Sequence, residues 1–142
     1  MKKKIISRKK FIFSIIISLL IWGPTVNLLS FILIALIYTL TNNSTLAKFM
    51  WYAMWILNSV LIILLCYINN KKKIVSKNEL DKTKKGILVI FYIFMGLSTL
   101  NLMNLIKDSM IVWIPILILQ MFLITFVNDA MFKKYMHYDK KN

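Results

Sequence analysis

Three consecutive segments decide the fold: FMWYAMWILNSVLIILLCYINN (49–70), KKKIVSKNELDKTKK (71–85) and GILVIFYIFMGLSTLNLMNLI (86–106). The first and third are apolar runs without a charged residue, and the segment between them carries seven lysines. About 20 apolar residues in a helix cross a hydrocarbon core about 30 Å thick. Lipid offers no hydrogen-bond partner to a bare backbone, so each run is predicted to be a helix. The sequence here predicts two membrane helices joined by a basic loop.

The same alternation continues in both directions along the chain. Charge-free runs also occupy 11–47 and 109–128, and dense groups of basic residues border the runs. Basic residues collect on the cytoplasmic side of membrane proteins, where they orient the chain and attract anionic lipid headgroups. We therefore expect all the dense groups on one side of the membrane. They are Lys2, Lys3, Lys4, Arg8, Lys9 and Lys10; Lys71, Lys72, Lys73, Lys77, Lys82, Lys84 and Lys85; and Lys133, Lys134, Lys140 and Lys141.

The predicted fold class is an all-α integral membrane protein, a four-transmembrane-helix bundle with the N-terminus and the C-terminus both cytoplasmic. The hydrophobic content of 59% exceeds the roughly 45–50% of soluble domains. The whole chain, 1–142, is predicted to be a single transmembrane domain. Its parts are a basic N-terminal tail 1–10, helices at about 11–40, 48–70, 86–106 and 109–132, a basic cytoplasmic loop 71–85 and a basic C-terminal tail 133–142.

The first run is too long for one simple crossing and too short for two. Phe11 to Trp22, before the Gly23-Pro24 pair, would make only about 18 Å of helix. A second crossing would also move the basic loop to the other side of the membrane. We therefore predict one long helix with a kink at Pro24, acting as an uncleaved signal anchor. A helix joined to an interfacial segment is the alternative.

Six uncharged polar residues are predicted to lie within the membrane. Asn58 and Gln120 fall near the middle of their helices, and Asn27 falls near the middle of the first run. Two interpretations compete: the amides line a pocket or path, or they hydrogen-bond across helices and hold the bundle together. A face of three polar side chains, spaced three residues apart on the third helix, is the best candidate for a pocket open to the outside. These three are Ser98, Asn101 and Asn104.

Aromatic residues are predicted to mark the two membrane interfaces. Tyr67 is expected at the inner interface, near the basic loop. The outer interface is expected to hold Tyr38, Trp51, Tyr52, Trp55 and Trp113.

The charged and nucleophilic residues give no sign of an enzyme. No Asp, Glu, His, Lys or Arg lies deep in any run, whereas acid–base chemistry needs a titratable group in the site. Asp129 is expected to pair with Lys133 one turn later. His137 lies in the basic tail, and Cys66 is the only cysteine. The sequence predicts no catalytic residue, no cofactor, no metal site and no nucleic-acid partner.

The function predicted from this pattern is that of a small non-catalytic protein of the bacterial cytoplasmic membrane. Its expected partners are anionic membrane lipids and either another membrane protein or a second copy of itself. The first hypothesis is an accessory or protective, immunity-like protein that binds a membrane partner or a membrane-active peptide through its helices. The alternative is a homo-oligomeric channel, holin-like pore or facilitator lined by intramembrane Asn and Gln. A third hypothesis is a sensor whose basic loop signals to a soluble partner.

Overall fold

Four long helices make up most of the computed structural model, which describes residues 3–106 and 110–136. Each helix is long and apolar enough to cross a membrane, which confirms the prediction of four apolar helices and is consistent with a multi-pass membrane protein. In the most apolar stretch of each helix only 17–33% of the residues are buried, so apolar side chains cover the outside of the bundle. The helices are α1 (Arg8–Thr41), α2 (Ser44–Asn69), α3 (Leu80–Ile106) and α4 (Met110–Tyr135).

The helix bounds differ from the predicted ones mainly at helix starts. α1 is one continuous helix with Pro24 inside it, and the predicted kink there stays a prediction. α2 begins four residues before the predicted residue 48, because the Asn43 side chain caps it by accepting the Leu46 N–H at 3.1 Å. α3 begins at Leu80 instead of residue 86. α4 continues to Tyr135, so Lys133 and Lys134 lie in its last turn and not in a tail.

The basic tail and the basic loop are joined to each other, which the sequence did not predict. Strand β1 (Lys4–Ile5) pairs in parallel with strand β2 (Lys73–Ile74). The Lys4 amide donates to the Lys72 carbonyl at 2.7 Å, and the Ile6 amide donates to the Ile74 carbonyl at 2.8 Å. Ile74 and Val75 are buried, so this loop closes one end of the bundle with apolar side chains. A 3₁₀ turn, Lys77–Glu79, leads into α3.

This end of the bundle collects the described members of all three basic groups, and we call it the basic end. The strand pair brings the start of α1 to the connection between α2 and α3. The end of α4 joins them, because Lys84 pairs with Asp129 and the Lys3 ammonium donates to the Tyr135 carbonyl. The opposite end is called the distal end. Lys2, Lys140, Lys141, His137 and the predicted turn 107–109 lie outside the described residues.

The helices pack as a ring in the order α1, α2, α4, α3, with each one against the next and α3 against α1. The largest apolar core lies in the half near the basic end, around Phe11, Ile15, Ile63 and Phe91. α1 and α3 are in close contact at Gly23, where an added Cβ would lie 2.5 Å from the Phe94 ring. Glycine therefore permits a contact that any side chain would obstruct.

Candidate functional site

Asn58 holds α2 against α1 near the middle of both helices. Its side-chain amide donates to the Ser30 hydroxyl at 2.7 Å and is 3.4 Å from the Asn27 carbonyl oxygen. The Ser30 hydroxyl in turn lies 3.0 Å from the Asn58 carbonyl oxygen. Asn58 and Ser30 are buried, so this amide is committed to holding two helices together. Of the two interpretations of the intramembrane amides, Asn58 therefore fits the interhelical contact.

Gln120 joins three helices in a second network. Its amide donates to Ser59 on α2 at 2.8 Å, and its carbonyl oxygen lies 3.2 Å from the Thr99 hydroxyl on α3. Thr99 also accepts the Trp55 indole N–H at 3.0 Å and donates to the Met95 carbonyl at 2.7 Å. Thr99 and Gln120 are fully buried. Thr99 was not among the predicted polar residues, because nothing in the sequence distinguishes it from the other hydroxyl residues of the apolar runs.

A third group of contacts lies near the basic end. The Tyr67 hydroxyl donates to the Asn128 carbonyl oxygen, and both side chains are buried. Tyr67 is therefore part of the core, and its predicted depth at the inner interface stays a prediction. Ser18 of α1 accepts hydrogen bonds from Asn69 at 2.9 Å and from Asn70 at 3.0 Å, which fixes the end of α2.

The predicted ion pair near the basic end is present. Asp129 and Lys133 are 3.2 Å apart, one turn along α4. Lys84 of α3 also pairs with Asp129, a contact the sequence could not place because it joins two helices. The two lysines thus tie the charged end of α4 to α3.

A cleft of about 290 Å³ opens in the distal half of the bundle and is lined by residues of α1, α2 and α3. Trp51 and Trp55 of α2 form part of its lining, and Trp51 lies about 10 Å along α2 from the first residue of that helix. Polar groups come from both flanking helices. The lining consists of Asn27, Trp51, Trp55, Ser98, Asn101 and Leu102, and we call this the distal cleft.

A narrow pocket of about 10 Å³ lies beside the distal cleft and shares Asn27, Trp51 and Trp55 with it. Asn58 and Ser30 line its far side. About 10–15 Å³ is the smallest volume that holds one water molecule. The polar lining thus extends from the open cleft to the amide that joins α1 and α2.

The predicted polar face of α3 is divided by the structure. Ser98 and Asn101 line the distal cleft, whereas Asn104 is not part of the lining. Each step of three residues falls about 60° short of a full helical turn, so Ser98 and Asn104 are about 120° apart around the helix. Asn101 and Asn104 are exposed, and neither has a hydrogen-bond partner among residues 3–106 and 110–136.

The distal aromatic residues are partly inside the bundle. Trp113 is fully buried and meets the Tyr52 ring edge-on, with ring centroids 5.2 Å apart. It is therefore a core residue, and its predicted depth at the outer interface stays a prediction. Phe31 and Trp51 make a similar contact at 5.8 Å. The indole N–H groups of Trp51 and Trp113 are buried without a partner among the described residues.

The described lining of the distal cleft carries no charged side chain. It consists of two carboxamides, one hydroxyl, two indoles and a leucine. Such a surface offers donors, acceptors and aromatic faces to a ligand or to a partner side chain. Comparison of the chain with protein-family models, curated proteins and solved structures gave no match.

Proposed function

We propose that this chain is a non-catalytic membrane protein that binds a membrane partner at the distal cleft. The partner is another membrane protein or a membrane-active peptide, and the role is accessory or protective. One observation carries the proposal: the bundle uses Asn58 and Gln120 for its own contacts but leaves the Asn101 amide open on a side-facing cleft. A carboxamide without a partner in hydrocarbon costs free energy, so such a surface favours an occupant that can hydrogen-bond.

The charge distribution supports a location and an orientation for this binding. The described members of the three basic groups meet at the basic end, which the positive-inside rule assigns to the cytoplasmic side of a bacterial cytoplasmic membrane, and Lys48 at the start of α2 is the described basic residue outside these groups. Anionic lipid headgroups are the expected contacts of that end. Both chain termini would then be cytoplasmic. The distal cleft would open in the outer half of the bilayer, which a peptide that arrives from outside enters first.

The alternative, a homo-oligomeric channel or facilitator, is less favoured by the geometry. A path through the bundle would have to pass Asn58 and Gln120, whose side chains are buried and already bonded to neighbouring helices. A path between copies is a separate arrangement and stays a prediction. It is tested by the Asn101→Ala, Asn104→Ala double variant, which should abolish flux and leave stability nearly unchanged under this alternative.

Site-directed photocrosslinking in living cells tests the binding proposal. A benzophenone amino acid replaces Ser98 in the cleft, and the matched control replaces Phe122, which is exposed on α4. We expect a defined protein or peptide adduct from position 98, identified by mass spectrometry, and none from position 122. Lipid adducts alone at both positions, or identical protein adducts at both, would refute binding at the cleft.

A second measurement connects the adduct to the cleft amides. Asn101→Leu should reduce the yield of the adduct several-fold, because the exposed amide is then gone. Thr39→Val is the control, since Thr39 is exposed on α1 and its one side-chain hydrogen bond among the described residues is to the Ala35 carbonyl of its own helix, at 2.9 Å. Equal adduct yields from the two variants would show that the amide has no part in partner binding.

A further inference from the structure

The distal half of α3 carries a second unoccupied surface beside the distal cleft. Ile93, Leu97 and Leu100 are exposed by 57%, 59% and 46%, and Asn104 is exposed as well. Their spacing of four, three and four residues places them on one narrow stripe, the pattern of the a and d positions of a coiled coil. We call these four residues the α3 seam. None of the four lines the distal cleft.

Asn104 distinguishes the α3 seam from the other lipid-facing stripes of the bundle. Exposed hydroxyl side chains on other helices satisfy themselves: Thr25 donates to the Ile21 carbonyl and Thr125 to the Met121 carbonyl. An asparagine carboxamide has two donor hydrogens and a carbonyl oxygen, and none of these has a partner among the described residues. An amide in an apolar stripe therefore favours association of α3 with another helix.

The hydrogen-bonding pattern of Asn104 suits a second copy of the same chain. A carboxamide carries both donor and acceptor, so two copies can exchange hydrogen bonds with each other. Copies inserted in the same orientation place their Asn104 side chains at the same depth automatically when they meet about a two-fold axis. A foreign helix would need a polar residue at that depth by coincidence. A single Asn at an a position is also a known determinant of register in paired helices.

Between its first and its last residue the α3 seam carries no charge that would oppose such a contact. The stripe from Ile93 to Asn104 contains no charged residue, whereas the basic groups of α3 lie at its other end. Gly96 lies beside the stripe, and a Cβ added there would meet nothing within 4 Å. Small residues of this kind let neighbouring helices approach closely in membranes.

We propose that the chain forms a parallel homodimer through the α3 seam, with the two Asn104 carboxamides bonded to each other. The proposal is independent of what the distal cleft binds. The two α3 helices would lie side by side with their distal halves in contact. The strongly positive basic ends would be held further apart, because the seam ends before the lysines of α3 begin.

Cysteine crosslinking in native membranes tests the dimer. Leu97→Cys and Leu100→Cys are made one at a time in a Cys66→Ala background, with Leu28→Cys on α1 and Phe122→Cys on α4 as controls that are at least as exposed. Under mild oxidation we expect a disulfide-linked homodimer from the two seam positions only. Crosslinks from the control positions at equal yield, crosslinks to a different protein at the seam, or no crosslinks from any position would each overturn the proposal.

The role of the amide is tested separately by the dissociation constant of the dimer in mild detergent, measured by native mass spectrometry. Asn104→Leu should weaken the dimer roughly 3- to 30-fold, the range expected for one interhelical polar contact. Asn104→Gln should restore part of the affinity, because it keeps the carboxamide. An unchanged dissociation constant in Asn104→Leu, in protein that melts like the parent, would exclude Asn104 as the pairing residue.

Discussion

Replacing Thr99 with valine should destabilise the bundle more than replacing Gln120 with leucine, although the glutamine is the larger polar group. Gln120→Leu removes two interhelical hydrogen bonds and leaves both partners satisfied. Ser59 still reaches the Trp55 carbonyl at 3.2 Å, and Thr99 still bonds to the Met95 carbonyl and to the Trp55 indole. With interhelical bonds in membranes worth about 0.6–1.7 kcal/mol each, the expected cost is about 1–3 kcal/mol.

Thr99→Val also removes two interhelical hydrogen bonds, as Gln120→Leu does, but it leaves two polar groups without partners. The Trp55 indole N–H, at the wall of the distal cleft, loses its acceptor, and the Gln120 carbonyl oxygen loses the hydroxyl that it shares with the Met95 carbonyl. Leaving a buried polar group without its partner costs about 1–3 kcal/mol, which includes the lost hydrogen bond. For the two groups together we expect a loss of about 2–6 kcal/mol in the free energy of unfolding.

Unfolding in mixed detergent micelles, followed by far-UV circular dichroism, measures these costs. The double variant should cost at least about 1 kcal/mol less than the sum of the single ones, because removing Gln120 also removes the unsatisfied carbonyl. Thr39→Val, which breaks only a bond within exposed α1, is the matched control and should change stability little. A larger cost for Gln120→Leu than for Thr99→Val, or strictly additive costs, would refute the network as described.

Three further predictions concern the helix crossing, the strand pair and the threading. Gly23→Ala should destabilise the bundle by about 1–3 kcal/mol, because the new Cβ meets the Phe94 ring. This cost should be smaller in a Phe94→Ala background, where the ring is absent. An equal cost with and without the Phe94 ring would contradict the contact. Ile6→Pro removes the amide that donates to β2 and should speed tryptic cleavage of the N-terminal lysines in inside-out vesicles; unchanged cleavage would argue against the strand pair. Single cysteines at Asn43 and Ser76, in a cysteine-free background, should react with an impermeant thiol reagent from opposite sides of the membrane. Labelling of position 76 from outside the cell would show that the chain is inserted in the opposite orientation.

The candidate site was only partly predictable from the sequence. Asn58 and Gln120 stand out in the sequence as single amides near the centres of apolar runs. Their partners Ser30, Ser59 and Thr99 do not, because small hydroxyl residues are common in membrane helices and satisfy themselves on their own backbone. Which hydroxyl meets which amide depends on how the helices are rotated about their axes, and uniformly apolar helices carry little information about rotation.

The polar residues of α3 are a second case in which helix rotation could not be predicted from the sequence. Their spacing suggested one polar face, but the distal cleft takes Ser98 and Asn101, and Asn104 falls on the neighbouring stripe. The parallel pairing of β1 with β2 was not predictable at all, since two-residue strands have no recognisable alternation. The Gly23-Pro24 pair predicted a kink in one long helix, but nothing in the sequence indicated that the glycine lies against the Phe94 ring of α3.

The sequence by itself determined the number of helices, their approximate ends and the grouping of the basic residues. Burial of charge and of unpaired backbone in hydrocarbon is so costly that charge-free runs of about 20 residues leave few alternatives. Only the tertiary structure decided which amides the bundle uses internally and which it leaves at its surface. Those choices rest on helix rotation and close packing, where single contacts differ by about 1 kcal/mol, too little to leave a pattern in one sequence.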